Sequence, residues 1–67
     1  MQITTQFIKL DSFLKAENAV SSGGEAKIVI AEGYATVNGA VEIRRGRKLY
    51  PGDKVVYRNS EYLVEAL

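Results

Sequence analysis

The 67 residues, 46% hydrophobic and 25% charged, have the balance of one small globular domain, residues 1–67, and are too few for two. Cysteine and histidine are both absent, which excludes a disulfide framework, a thiolate or imidazole metal site and every nucleophile that relies on a histidine base. Net charge is +1, no apolar run approaches the roughly 18 residues of a membrane span, and no basic-then-apolar leader opens the chain. A soluble, cytoplasmic module that binds rather than catalyses is expected, with no cofactor, no metal and no membrane partner.

In chain order, residues 4–10 mix β-branched, aromatic and aliphatic side chains ahead of Asp11-Ser12 and predict a first strand. Asp11 is placed to N-cap a helix starting near Ser12, with Leu10, Phe13, Leu14 and Val20 as its apolar contacts. That helix cannot continue through Ser21-Ser22-Gly23-Gly24. Ser22 and Glu25 stand at capping-box spacing and predict a second helix, with Ala26, Val29 and Ile30 as its apolar stripe and Gly33 as its left-handed C-cap. A tight turn at residues 20–22 joins the two helices, which must pack at an angle.

After Gly33 the period changes. Residues 34–37, Asn38-Gly39 and residues 40–43 read as a hairpin, because Asn-Gly tolerates the positive φ of a type I′ turn. Pro51-Gly52-Asp53 is a second turn. Residues 54–58 form a strand with Val55 and Tyr57 on one face and Val56 on the other, and Asn59-Ser60 turns into a last strand over 61–66. The order β-α-α-β-β-β-β predicts an α+β domain: two short packed helices on a small antiparallel sheet of four to five strands.

The charge is unevenly placed. Arg44, Arg45, Arg47 and Lys48 put four positive charges in five residues, leaving five positive and eight negative elsewhere. Such a dipolar distribution is the footprint of phosphate binding, with a solvated basic loop as the alternative.

Glu25-Ala26, Val29-Ile30, Gly33 and Val37-Asn38-Gly39, followed by Leu49-Tyr50-Pro51-Gly52-Asp53-Lys54-Val55, resemble the ribosomal S-four-like (alpha-L) RNA-binding domain. The resemblance covers the chain from Phe13 onward. Gly23 departs from it, standing where the family carries the Arg of a Ser-Arg pair. Ser-Gly-Gly there, with Arg44-Arg45-Gly46-Arg47-Lys48, looks more like the stand-alone bacterial YaaA-type branch. The resemblance implies binding of structured RNA, with ribosomal RNA or a ribosome-assembly intermediate as leading target, ribosomal or assembly proteins as neighbours, and a monomer.

Arginine's planar fork matches phosphate oxygens two at a time, so Arg44, Arg45 and Arg47 are the expected clamps, with Lys48 in support. Gly46 lets the backbone bend between them, or is an ordinary loop glycine. Lys27 and Lys15 extend the patch, or simply face solvent. Ser22 and Gly23 open a helix N-terminus that a phosphate can approach, although the capping role of Ser22 and Glu25 is favoured. Asn38 has a turn role in any fold and an RNA contact as the lesser reading; Tyr50, beside the basic run, is the candidate base-stacker.

A protein-interaction adaptor in a ribosome- or replication-associated complex is the alternative function. Duplex DNA reading is disfavoured because neither helix carries a basic, polar face. An enzyme is not expected: nothing pairs a nucleophile with a base, and Ser-Gly-Gly-Glu lacks the lysine and length of a P-loop.

Overall fold

The computed structural model describes residues 2–66; Met1 and Leu67, the ends of the expected domain, lie outside the described residues. In chain order the elements are β1 (Gln2–Ile3), β2 (Ile8–Lys9), α1 (Leu10–Ala16), α2 (Gly23–Ala31), β3 (Ala35–Val37), β4 (Ala40–Val41), β5 (Lys48–Leu49), β6 (Lys54–Tyr57), β7 (Ser60–Leu63) and β8 (Glu65–Ala66). One antiparallel sheet has the order β4-β3-β6-β7. Two short ribbons accompany it: β2 runs antiparallel to β5, and β1 runs parallel to β8. The α+β architecture is as expected; the parallel ribbon is an addition to it.

Local sterics explain most element ends. Asn38 and Gly39 have φ of 53° and 87°, so the mirror-image turn pairs Val37 with Ala40. Gly33, with φ of 82°, ends α2 in a Schellman motif: its amide donates to the Ile30 carbonyl and that of Tyr34 to Val29, both at 3.0 Å. Asn18, at φ of 58°, ends α1 in the same way, with its own amide donating to Lys15 and that of Ala19 to Leu14. The link between the helices is therefore residues 17–22, longer than the expected turn at 20–22.

Four further expectations are corrected. Only Ile8–Lys9 of residues 4–10 forms a strand there, because Leu10 already begins α1. The N-cap is Lys9, whose side chain makes no capping bond; Asp11 lies in the first turn, its Oδ1 accepting from the Ser12 amide at 2.8 Å. The last hairpin turns at Arg58-Asn59, with φ of 53° and 64°, one residue earlier than Asn59-Ser60, so that Tyr57 pairs with Ser60. The final strand is also split. Val64 is drawn out of the ladder when its amide donates to the Asp53 carbonyl and its carbonyl accepts from Gly52, leaving β8 to pair with β1.

The core is one buried cluster. Leu10, Phe13 and Leu14 of α1, Val20 of the link, and Ala26 and Ile30 of α2 join Ala35, Val37, Val55 and Tyr57 from one face of the sheet. Val29 packs on its edge, half-buried. Phe13 meets Tyr62 of β7 edge to face at 6.2 Å, an arrangement that suits the ring quadrupoles and ties α1 to the sheet.

Candidate functional site

The segment between β4 and β5 carries Arg44, Arg45 and Arg47, and Lys48 opens β5. With no side-chain cap at Lys9, the first amides of α1 need acceptors. The segment supplies them: Leu10 N donates to the Arg47 carbonyl at 2.9 Å and Asp11 N to the Arg45 carbonyl at 3.1 Å. The loop also closes on itself, Arg47 N to Arg44 O, at 3.2 Å. Its backbone is thus pinned to the start of α1 while the Arg44 and Arg45 side chains remain exposed. Gly46 sits in open space without a left-handed φ, so the bend does not depend on glycine. Arg44, Gly46, Arg47 and Lys48 line one open depression of about 540 Å³.

Two of the arginines are already engaged. Arg44 donates through Nε and Nη2 to the two carboxylate oxygens of Glu42, each at 3.0 Å, and Arg47 Nη1 donates to Glu42 Oε1 at 2.8 Å. Glu42 also accepts from the Arg44 amide at 3.1 Å. The Arg44 guanidinium, first, and then that of Arg47 hold the Glu42 carboxyl far below the usual carboxylate range. Arg44 remains 72% exposed while paired, so its outer edge still faces solvent. Among the described residues Arg45 has no carboxylate partner and is exposed.

Across the ribbon, Lys48 lies directly opposite Lys9, a cation that sequence reasoning missed and that restores the charge Glu42 removes. Lys48 Nζ sits 4.8 Å above the Phe7 ring, and Phe7 meets Tyr50 at 6.1 Å between centroids. Nothing local announces either partner, because the strands that pair lie about forty residues apart in the chain. Glu42 had a cue: on extended chain, residues two apart share a side, which puts its carboxylate beside Arg44.

The remaining expected residues lie elsewhere. Asn38 is committed to the fold: its Nδ2 donates to Asp53 Oδ1 and its Oδ1 accepts from the Lys54 amide, both at 3.0 Å. Ser22 Oγ caps α2 by accepting from the Glu25 amide at 3.1 Å. The returning half of the capping box falls on Ser21, whose amide and hydroxyl donate to Glu25 Oε1 at 2.6 and 2.8 Å. These donors, the amide first, lower the Glu25 pKa. Gly23 and Lys27 are exposed on α2, and Lys15 is exposed in the last turn of α1. The expected residues are thus spread out: Arg44, Arg45, Arg47 and Lys48 gather at the start of α1, Lys15 lies in its last turn, and Ser22, Gly23 and Lys27 follow on the link and α2.

Residues 1–65 match the profile of the S4 domain. The chain belongs to the S4 domain family. Among its relatives is the "Probable ribosome maturation protein RlbA" of Bacillus subtilis, 46% identical over 55 residues, which span 82% of this chain and 78% of that one. YbcJ of Escherichia coli is 41% identical over 59 residues, 88% of this chain and 84% of that protein. The solution structure of YbcJ, described as revealing an alfaL motif involved in RNA-binding, superposes with a TM-score of 0.75 at 36% identity over 98% of this chain and 85% of YbcJ. The 30S ribosomal protein S4e of Thermoplasma acidophilum shares the fold, with a TM-score of 0.75 at 20% identity; the match spans 90% of this chain and 32% of S4e.

Within this S4 domain the helix pair is therefore the alpha-L motif, and the basic loop is docked on its first helix by main-chain bonds. Among the described residues no three His, Cys, Asp or Glu gather as a metal site, and no helix is long and apolar enough to cross a membrane.

Proposed function

We propose that this S4 domain is a non-catalytic RNA-binding module. It grips the phosphates of structured RNA with Arg44, Arg45, Arg47 and Lys48, and its target is ribosomal RNA or a ribosome-assembly intermediate. The observation that carries this reading is the pinned loop. Because the Arg45 and Arg47 carbonyls are spent on α1, the backbone that carries the cations is ordered before a ligand arrives, which lowers the cost of binding. The names of RlbA and YbcJ support RNA and the ribosome as the setting. Shape and backbone recognition suits RNA, whose deep major groove excludes side chains. Lys15, Lys27 and the start of α2 at Ser22 and Gly23 serve as a second, weaker contact along the same RNA.

The test is the salt dependence of binding to fragments of ribosomal RNA. Neutralising about four phosphates gives a slope of log affinity against log salt between roughly −3 and −4. The double variant Arg44→Ala/Arg45→Ala flattens that slope while the chain stays folded; an unchanged slope sinks the site assignment.

One observation favours a second reading. Val41 and Ile43, each 62% exposed, stand on the sheet-edge segment that leads into the loop, where a ribosomal or assembly protein can pack. Capture experiments with and without ribonuclease separate the two, since a protein adaptor keeps its partners when RNA is digested.

A further inference from the structure

The outer face of the β2-β5 ribbon carries two lysines and two aromatic rings. The register pairs Ile8 with Leu49 and Lys9 with Lys48. Alternation along both strands sends Leu49 into the core and Ile8 against it, so Lys9 and Lys48 point the other way, flanked on that side by Phe7 and Tyr50. Two lysines directly opposite each other repel. Only Lys48 finds relief, over the Phe7 ring; among the described residues neither lysine has a carboxylate partner. Tyr50 leaves 48% of its surface in water beside this pair. The backbone beneath is firm: the Tyr50 amide donates to Asp53 Oδ2 at 2.8 Å, and the Phe7 carbonyl accepts from Thr5 Oγ1 at 2.7 Å.

A repelling cation pair beside two canted rings is poor for stability and well suited to one nucleotide. We propose that Phe7, Lys9, Lys48 and Tyr50 seat a single unpaired nucleotide of the RNA, its phosphate between the lysines and its base against the rings. This inference rests on the RNA-binding reading and narrows it. In a continuous duplex every base face is covered by its neighbours, whereas a bulged or looped nucleotide offers one to an aromatic ring. The chain therefore selects helices interrupted by an unpaired nucleotide. Lys48 belongs both to this seat and to the depression lined by Arg44 and Arg47, so the interruption sits next to the gripped phosphates.

The experiment uses the whole chain and two RNA hairpins of identical stem, one continuous and one with a single bulged fluorescent aminopurine. Stacking of one base is expected to favour the bulged hairpin about ten-fold and to quench its fluorescence. Tyr50→Ala removes most of the preference and the quenching, and Phe7→Leu, which keeps an apolar side chain, reduces both. Neither changes the salt slope on the continuous hairpin. Arg44→Ala/Arg45→Ala weakens both hairpins alike and keeps the preference. Equal affinity of the unaltered chain for the two hairpins, or a preference that survives both aromatic substitutions, overturns the seat alone. Failure to bind either hairpin in a salt-dependent way overturns the RNA-binding reading with it.

Discussion

Glu42 Oε1 and Arg47 Nη1 meet at 2.8 Å, the carboxylate 8% exposed and the guanidinium 33%. A charged acid so far removed from water survives because two guanidiniums share it, Arg44 closing the other side. The pair sets the direction in which two of the loop's cations point, and it links the stability of the fold to pH.

The acid dependence follows from the depressed pKa of Glu42. In the unfolded chain its carboxyl titrates near 4.5, and in the folded chain far lower. The stability it contributes is therefore full above pH 4.5 and is lost as pH falls below that value toward the folded pKa. Glu25, also lowered, adds in the same direction. Thermal unfolding midpoints should drop below pH 4.5, and Glu42→Gln should flatten that limb while costing about 1–3 kcal/mol at neutral pH.

Arg44 and Arg45 are not equivalent. Arg45→Ala should reduce the salt slope by about 0.9, one phosphate contact. Arg44→Ala should reduce it by less, because its guanidinium already serves Glu42. Titrations of each single variant over a range of salt concentrations check the ranking.

Asn38 and Asp53 form a latch between two turns, since Asp53 also accepts from the Tyr50 amide. Asn38→Ala loses both side-chain bonds and places alanine at a φ of 53°, a combined cost of about 1–3 kcal/mol in urea unfolding. Asn38→Gly should cost less, because glycine keeps the turn. The Asn38→Ala/Asp53→Ala double variant should be less destabilised than the sum of the singles. RNA salt slopes should not move.

Ser22→Ala should lower stability by about 1 kcal/mol through loss of the α2 cap. Below the melting transition its RNA affinity should fall by no more than the second contact supplies. A loss as large as that of Arg45→Ala would place the principal grip at the helix link instead of the loop.

The turns were legible because their causes are local. Asn38-Gly39 and Gly33 occupy left-handed φ that few residues tolerate, and Ser22 caps an amide three residues on. The Arg58-Asn59 turn was misplaced by one residue because two adjacent positions there both suit a turn, and only the pairing of Tyr57 with Ser60 selects between them. Asp11 was misread for a related reason. A cap-forming side chain is a local signal, but the acceptors that α1 uses are carbonyls more than thirty residues away.

What the sequence alone determined is the inventory: the helix pair, the Asn-Gly and Pro-Gly-Asp turns, and four cations in five residues, all set by short-range sterics and hydrogen bonding. What only the tertiary structure decided is the use made of them. Burial of Glu42 binds two arginines to one carboxylate, strand pairing brings Lys9 opposite Lys48, and the start of α1 fixes the loop that carries them. Each of these joins residues distant in the chain or depends on exclusion of water, and neither distance in space nor burial is written in local residue order.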